Sequence, residues 1–408
     1  MSESPSFAEQ PGHRQLTDSF AEPKLRCLDW IRRLVSYDTT SRNSNLELIT
    51  AVVTECERLG LTPRIFPAPA QEKANVVVTV PDRYGRTDGG VMVSGHTDTV
   101  PVDGQAWSCD PFTVRVADGR LYGRGVCDMK GYIGVVLEAL PRFAAASLNE
   151  PFHVALTYDE ELACLGAEHL VTQLPGAGLV PRVVFVGEPT RMQVVTAHKS
   201  MSVVQVRFRG VPAHSSLPSA GVNAIEHAAE LVLYLRGLAD AWVRNGPFDD
   251  AYVVPHTTLS VNMLAGGTAR NIVPGECLIT FEFRSLPEIS PEVVISEVKA
   301  EAARIGARMN HEHPDADVEV EVLAMVPALD SDPRGVAAEY ARGCGGVVPG
   351  PKVTYGTEAG LFAGLGADAV VCGPGDIAQA HTPDEWIEVS QLAACEEFFD
   401  ALLHRMTQ

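Results

Sequence analysis

Two histidines and a group of carboxylates stand where short apolar runs end. Val91-Met92-Val93 closes in Ser94-Gly95 and delivers His96-Thr97-Asp98, while 152–158 (FHVALTY) runs into Asp159-Glu160-Glu161. The run 182–187 (RVVFVG) leads to Glu188-Pro189, and 368–373 (DAVVCG) is followed by a Gly/Pro loop and then His381. If strand geometry persists, His96 and Asp98 point to the same side. That spacing suits an imidazole on a metal with a carboxylate behind it fixing the tautomer. Asp128 follows Gly123-Arg124-Gly125 and precedes an apolar helical stretch, a place for a cation ligand or for a simple helix cap. His96, Asp128, Glu161, Glu188 and His381 together offer two imidazoles and three carboxylates. Such donors suit zinc, with cobalt or manganese as substitutes. Five ligands exceed what one catalytic ion with an open position needs, but fit a pair about 3.5–4 Å apart sharing one carboxylate.

Each residue also has an ordinary reading. A histidine after a strand is more often structural than a ligand, Glu160-Glu161 alone is a solvated turn, and Glu188 alone begins a proline turn. Those readings weaken when all must hold together at one edge of one sheet. Dinucleotide binding fails on spacing, because Asp128 stands where Gly123-x-Gly125 would need a third glycine.

The elements that must position these residues are short buried strands at 75–80, 91–94, 152–158, 182–187 and 368–373, with helices at 24–37, 45–60, 131–146 and 165–173. Apolar strands alternating with helices predict an α/β sheet covered on both faces. Such sheets place ligands at the carboxyl ends of their strands. From about 200 the texture changes: 201–209 alternates as a half-exposed strand should, and further strands follow at 257–265, 276–284 and 317–324, with helices at 221–238 and 291–308. That order, βαββαβ, is the ferredoxin-like pattern of a small inserted domain. We therefore divide the chain into a tail (1–22), a catalytic α/β domain (23–200 and 317–408) and an insert (201–316).

With 408 residues, 46% hydrophobic and 21% charged, the chain has the composition of a soluble globular protein with a large core. A formal net charge of −20 opposes nonspecific nucleic-acid binding. No apolar run is long enough to span a bilayer, and the N-terminus lacks the pattern of a signal peptide. Nine scattered cysteines without a CxxC pair point to reduced thiols and a cytoplasmic location.

The motifs SGHTDTVP (94–101), GRGVCDMKGY (123–132), TYDEELACLGA (157–167), VGEPT (186–190), AHSSLPSAGVNAI (213–225) and AHTPDEWI (380–387) carry a resemblance over nearly the whole chain after the tail. It resembles the dinuclear zinc amidohydrolase family of aminoacylases, acetylornithine deacetylases, desuccinylases and related carboxypeptidases. AHKS (197–200), GGTARNIVPGEC (266–277), YGTEAG (355–360) and CGPGDIAQAHTPDEW (372–386) lean toward its acetylornithine deacetylases. The resemblance implies two zinc ions per subunit, bridged by Asp128, with His96 and Glu188 on one and Glu161 and His381 on the other. It implies that Asp98 backs His96 and that Glu160 is the general base. It implies that the insert is a lid and homodimer interface, from which His214 reaches the partner's active site as an oxyanion donor. Asn271 and Arg284, and the loop residues Gly356 and Thr357, match substrate-contacting positions; Arg284 also reads as a surface strand residue. The implied reaction is hydrolysis of N-acetylornithine to ornithine and acetate, in arginine biosynthesis. The alternatives are another N-acyl amino acid or small peptide as substrate, or a silent homologue that only binds.

Overall fold

Four of the five apolar runs of the first domain become the parallel strands of a six-stranded sheet, and the fifth, 75–80, joins it antiparallel. In a computed structural model, which describes residues 24–408 apart from 70, 71 and 349, the parallel strands are Phe152–Thr157, Val91–His96, Val183–Pro189 and Asp368–Gly373, adjacent in that order. The expected tail at 1–22 lies outside the described residues. His96 sits opposite Thr157, and Val91 opposite both Phe152 and Val183. Ala74–Val80 runs antiparallel beside Phe152–Thr157, and Arg64–Pro67 adds an edge strand that the sequence pattern does not suggest. Every residue of Val91–His96 is buried. Val91 and Val93 join the core beneath helices Leu28–Val35, Lys130–Ala144 and Val389–Thr407, while Met92 faces Leu170, Leu174 and Phe362 on the other side. Two covered faces are the reason these strands read as unbroken apolar runs, each large side chain contributing about 1.5–3 kcal/mol on burial.

At Gly187 the backbone of the Val183–Pro189 strand touches the ring of Tyr132, where an added Cβ would lie 2.2 Å from two ring carbons. Glycine is required there, one residue before Glu188. The helix Val389–Thr407 is a further addition to the expected elements. Leu392, Cys395, Phe399, Leu402 and Met406 are buried at intervals of three and four residues, so its periodicity is present in the sequence.

The second sheet has four antiparallel strands in the order Thr258–Gly266, Glu276–Arg284, Met201–Arg209, Asp317–Val326. Burial alternates along Met201–Arg209 and Glu276–Arg284 because helices Ala224–Asn245 and Pro291–Glu312 cover one face only. Both helices are capped: Asn223 accepts from the amides of Ile225 (3.1 Å) and Glu226 (3.3 Å), and Ser290 accepts from Val293 (3.4 Å). The expected βαββαβ order is present. Asp317 pairs with Arg209 and Val326 with Met201, so this sheet extends beyond 316, where the sequence texture had suggested a boundary. The edge strand DVEVEV alternates valine with acid, and so lacks the apolar run that would mark its end. Ser200 and Ser285, both fully buried, lie where the chain crosses between the sheets, their hydroxyls 2.6 Å apart.

Two buried histidines make this fold acid-labile. His153 donates from Nε2 to the Gly89 carbonyl (3.0 Å) and accepts at Nδ1 from the Thr79 hydroxyl (2.9 Å). His198 donates from Nδ1 to the Lys199 carbonyl (2.9 Å), and its buried Nε2 has no partner. Burial lowers both to about 4. Their folded pKa lies below the unfolded value near 6.5, so the unfolded chain binds more protons in between. Stability is therefore unaffected above about pH 6.5 and falls as pH drops toward 4, by up to about 3 kcal/mol for each histidine. We expect His198→Gln to flatten the fall of the urea midpoint between pH 7 and 4.5; an unchanged slope would contradict this assignment.

Candidate active site

The parallel strands bring their carboxyl ends to one edge, and there the candidate residues meet. His96 closes Val91–His96, the turn Asp159-Glu160-Glu161 follows Phe152–Thr157, Glu188 ends Val183–Pro189, and His381 follows Asp368–Gly373. Asp128 approaches just ahead of helix Lys130–Ala144 and accepts no cap bond from it, which removes the plain helix-cap reading.

Asp128 stands between the two imidazoles. Its Oδ1 lies 2.9 Å from His96 Nε2 and its Oδ2 lies 3.1 Å from His381 Nε2. Glu161 Oε1 is 3.1 Å from the same His381 nitrogen, and Glu188 Oε1 is 3.8 Å from His96 Nε2. His96 Nδ1 lies 3.0 Å from the backbone carbonyl of Asp98, which as acceptor assigns the proton to Nδ1 and leaves Nε2 free to ligate. The Asp98 carboxylate, 3.5 Å from that Nδ1, has a second task. It accepts from the Glu160 amide (3.0 Å), the Glu161 amide (3.2 Å) and the Ser41 hydroxyl (2.8 Å), and so holds the turn that carries both glutamates. Lys73 Nζ donates to both carboxylate oxygens of the preceding Asp159, at 2.6 and 2.7 Å.

This edge is overloaded with negative charge. Burial, with Asp128 and Glu160 nearby, pushes the Glu188 carboxyl well above its ordinary range. Burial and the neighbouring Glu161, Asp128 and Glu358 push Glu160 up to about 8. Hydrogen bonding to Asp128 and Glu161 raises His381 to about 10. Burial opposes ionisation of Asp128, yet its bonds to His381 and His96 hold it below the usual carboxylate range. Glu188 Oε1 is buried without a hydrogen-bond partner. A bare buried acceptor beside several carboxylates and two imidazole nitrogens fits divalent cations. Donor atoms of His96, Asp128 and Glu161, and of His96, Glu160 and Glu188, lie within 4.8 Å of one another.

The remaining candidates lie elsewhere. His214 is exposed on the insert, its Nδ1 2.7 Å from the Ser216 hydroxyl, and it pairs as a β-bridge with Ile272 next to exposed Asn271. Among the described residues neither makes a polar contact with the cluster. Arg284 is half-buried, donates to Glu282 (2.7 Å), and lies near Lys199, whose amine burial and Arg284 lower to about 8. Gly356 packs beside Lys199 and Met201, while Thr357 is buried and accepts from the Ala359 amide (3.1 Å) just ahead of a short helix.

Three contributors escape the sequence reading. Glu358 lies behind Glu160, accepting from Ser94 (2.9 Å) and Thr157. The Tyr355 phenol, pushed up by burial and by Glu188, Asp128 and Asp376, lines a cleft with Pro189, Arg191 and Asp376. Glu385 is fully buried against the Asp128 loop. All three sit in motifs already quoted, but a glutamate's burial has no signature in local sequence.

A mixed α/β sheet with clustered imidazoles and carboxylates at its carboxyl edge defines a metal-dependent hydrolase. Residues 92–405 match the model of peptidase family M20/M25/M40. The chain is also 34% identical over 377 residues to an acetylornithine deacetylase of Myxococcus xanthus, covering 92% of this chain and 95% of that protein. It belongs to the M20/M25/M40 family. An M20 metallo-carboxypeptidase from Sulfolobus solfataricus shares the fold with a TM-score of 0.70 or more, namely 0.72, at 18% identity over 92% of this chain and 98% of its own. A tripeptidase from Staphylococcus aureus does so with a TM-score of 0.70 at 20% identity, over 94% and 98%. Among the described residues, no helix is long and apolar enough to cross a membrane.

Proposed function

We propose that this chain hydrolyses the amide bond of an N-acyl amino acid, N-acetylornithine foremost, at a site holding two zinc ions. The observation that carries this reading is Asp128, whose two oxygens face different imidazoles. His96 and Glu188 would hold one ion, Glu161 and His381 the other, with Asp128 shared between them and cobalt or manganese as substitutes. When bound, such ions would lower the pKa of a water and polarise the amide carbonyl. Glu160 then takes the proton of the attacking water and returns it to the departing amine. The turn held by Asp98 and Lys73 keeps that carboxylate in place. The relationship to the Myxococcus enzyme supports the substrate class. The products would be acetate and ornithine, as in arginine biosynthesis, and nine free cysteines accord with a reducing cytoplasm.

The oxyanion donor would come from a second subunit. We assign the insert, residues 201–316 with the strand that continues to 326, as a lid and homodimer interface. Exposed Leu233 (72%), Met263 (67%) and Leu264 (51%), and the open edge of Thr258–Gly266, support this. His214 of the partner subunit would stabilise the developing oxyanion, with Asn271 and Arg284 binding the substrate carboxylate and Gly356 and Thr357 lining the approach. Removing one such donor costs about 10²–10³-fold in kcat. We therefore expect that loss for His214→Ala, with metal content unchanged. Mixing this variant with an inactive Glu160→Gln variant should restore activity through mixed dimers; no recovery would place His214 outside a shared site.

Metal analysis with a panel of N-acyl amino acids tests the whole reading. Two ions per chain and cleavage of N-acetylornithine are expected. Cleavage of other acyl amino acids or dipeptides alone would retain the mechanism and overturn the substrate.

A further inference from the structure

Arg124 and Glu385 form an ion pair that is almost completely buried, 1% and 0% exposed, directly behind the metal-type cluster. An isolated buried pair is weak evidence of stabilisation, because desolvation offsets much of its attraction. What distinguishes this one is where its hydrogen bonds go. Glu385 Oε1 accepts from the amides of Cys127 (2.8 Å) and Asp128 (3.1 Å). Its Oε2 accepts from the Gly125 amide (3.0 Å) and from Arg124 Nη1 (2.8 Å). Four donors thus fill the carboxylate, three of them amides of the segment that ends in Asp128.

Glu385 also lies four residues after His381, and the intervening loop is tied to the same network. Arg124 Nη2 donates to Gln105 Oε1 (2.6 Å), and Gln105 Nε2 donates to the His381 carbonyl (3.3 Å). Trp107 Nε1 steadies Gln105 Oε1 at 3.0 Å, and the Gly123 amide donates to the Glu385 carbonyl at 3.0 Å. The loops that present Asp128 and His381 are therefore cross-linked through one carboxylate, one guanidinium and one amide. His96 meets this network through the Asp128 carboxylate, at 2.9 Å, and is otherwise held by its own strand and by Asp98.

We propose that Glu385, with Arg124 and Gln105, is a positioning group that sets the affinity of the Asp128–Glu161–His381 metal site, where it positions two ligands, more strongly than that of the His96–Glu188 site, which it reaches through the shared Asp128 alone. This inference rests on the dinuclear reading above. Glutamine at 385 would turn an NH2 toward two donors, so Glu385→Gln breaks the network without changing side-chain size. Hydrogen-bonding partners behind metal ligands typically change affinity by roughly 10–100-fold.

The test is titration of metal-depleted protein with Zn2+ against a chromophoric chelator, repeated with Co2+ and followed by its visible absorption. His381→Ala marks which binding step belongs to the dependent site. In Glu385→Gln that same step should weaken about 10–100-fold, and the other step by clearly less. Gln105→Ala, at the partly exposed end of the network, should show a smaller loss in the same direction at unchanged Tm. It carries the test if Glu385→Gln does not fold. Wild-type affinity for both ions in both variants, or equal weakening of both steps with a lower Tm, would overturn the proposal alone. A wild-type chain that binds fewer than two ions would overturn the dinuclear reading and this proposal with it.

Discussion

Replacing Glu160 with glutamine should cut kcat by about 10²–10⁴-fold, the usual contribution of a positioned general base, while both ions stay bound. The substitution keeps size and shape. The backbone amide of Glu160 still donates to Asp98 at 3.0 Å, so the turn should hold. What disappears is the carboxylate proposed to shuttle the proton. Glu160 suits that task because it adjoins the proposed ligand Glu161, yet among the described residues it has no imidazole hydrogen-bond partner; the Cys164 thiol lies 3.4 Å from its Oε1. Metal content and KM near wild type, with kcat lost, are the expected pattern. Activity within a few-fold of wild type would remove Glu160 from the mechanism.

Asp128→Asn should be as damaging, by a different route. In the native residue each oxygen meets its own imidazole, at 2.9 Å for His96 and 3.1 Å for His381. Asparagine offers one neutral oxygen and turns an NH2 toward the other imidazole. One site should then lose a ligand outright and the second should lose a negative charge. Metal content should fall below two ions per chain, with activity reduced by roughly 10³-fold or more as water activation is lost. Two tightly bound ions in Asp128→Asn would exclude it as the shared ligand.

The reach of the sequence is clearest at the strand ends. His96, Glu161, Glu188 and His381 were visible because an apolar run precedes each, and a parallel sheet gathers such ends at one edge. Asp98 shows where that reading stops. Its spacing from His96 suggested a carboxylate facing the imidazole, and that carboxylate lies 3.5 Å from Nδ1, but its backbone carbonyl makes the closer contact and the carboxylate also holds the Glu160-Glu161 turn. Residues on different loops cannot reveal such a division of labour through spacing. The acidic strand Asp317–Val326 was likewise found, but its place in the insert depended on hydrogen bonds to Met201–Arg209 that no local pattern records.

The sequence by itself determined the chemical inventory: two imidazoles, a set of carboxylates, a buried sheet to carry them and a βαββαβ insert. Those features are written locally, in apolar runs, in alternation and in the residue that follows a strand. Only the tertiary structure decided that Asp128 lies between the two histidines, that Glu188 Oε1 is left bare, and that Glu385 closes on the Asp128 loop from 257 residues away in the chain. These are contacts between segments remote in sequence. They are selected when the whole core closes and buried polar groups must find their partners.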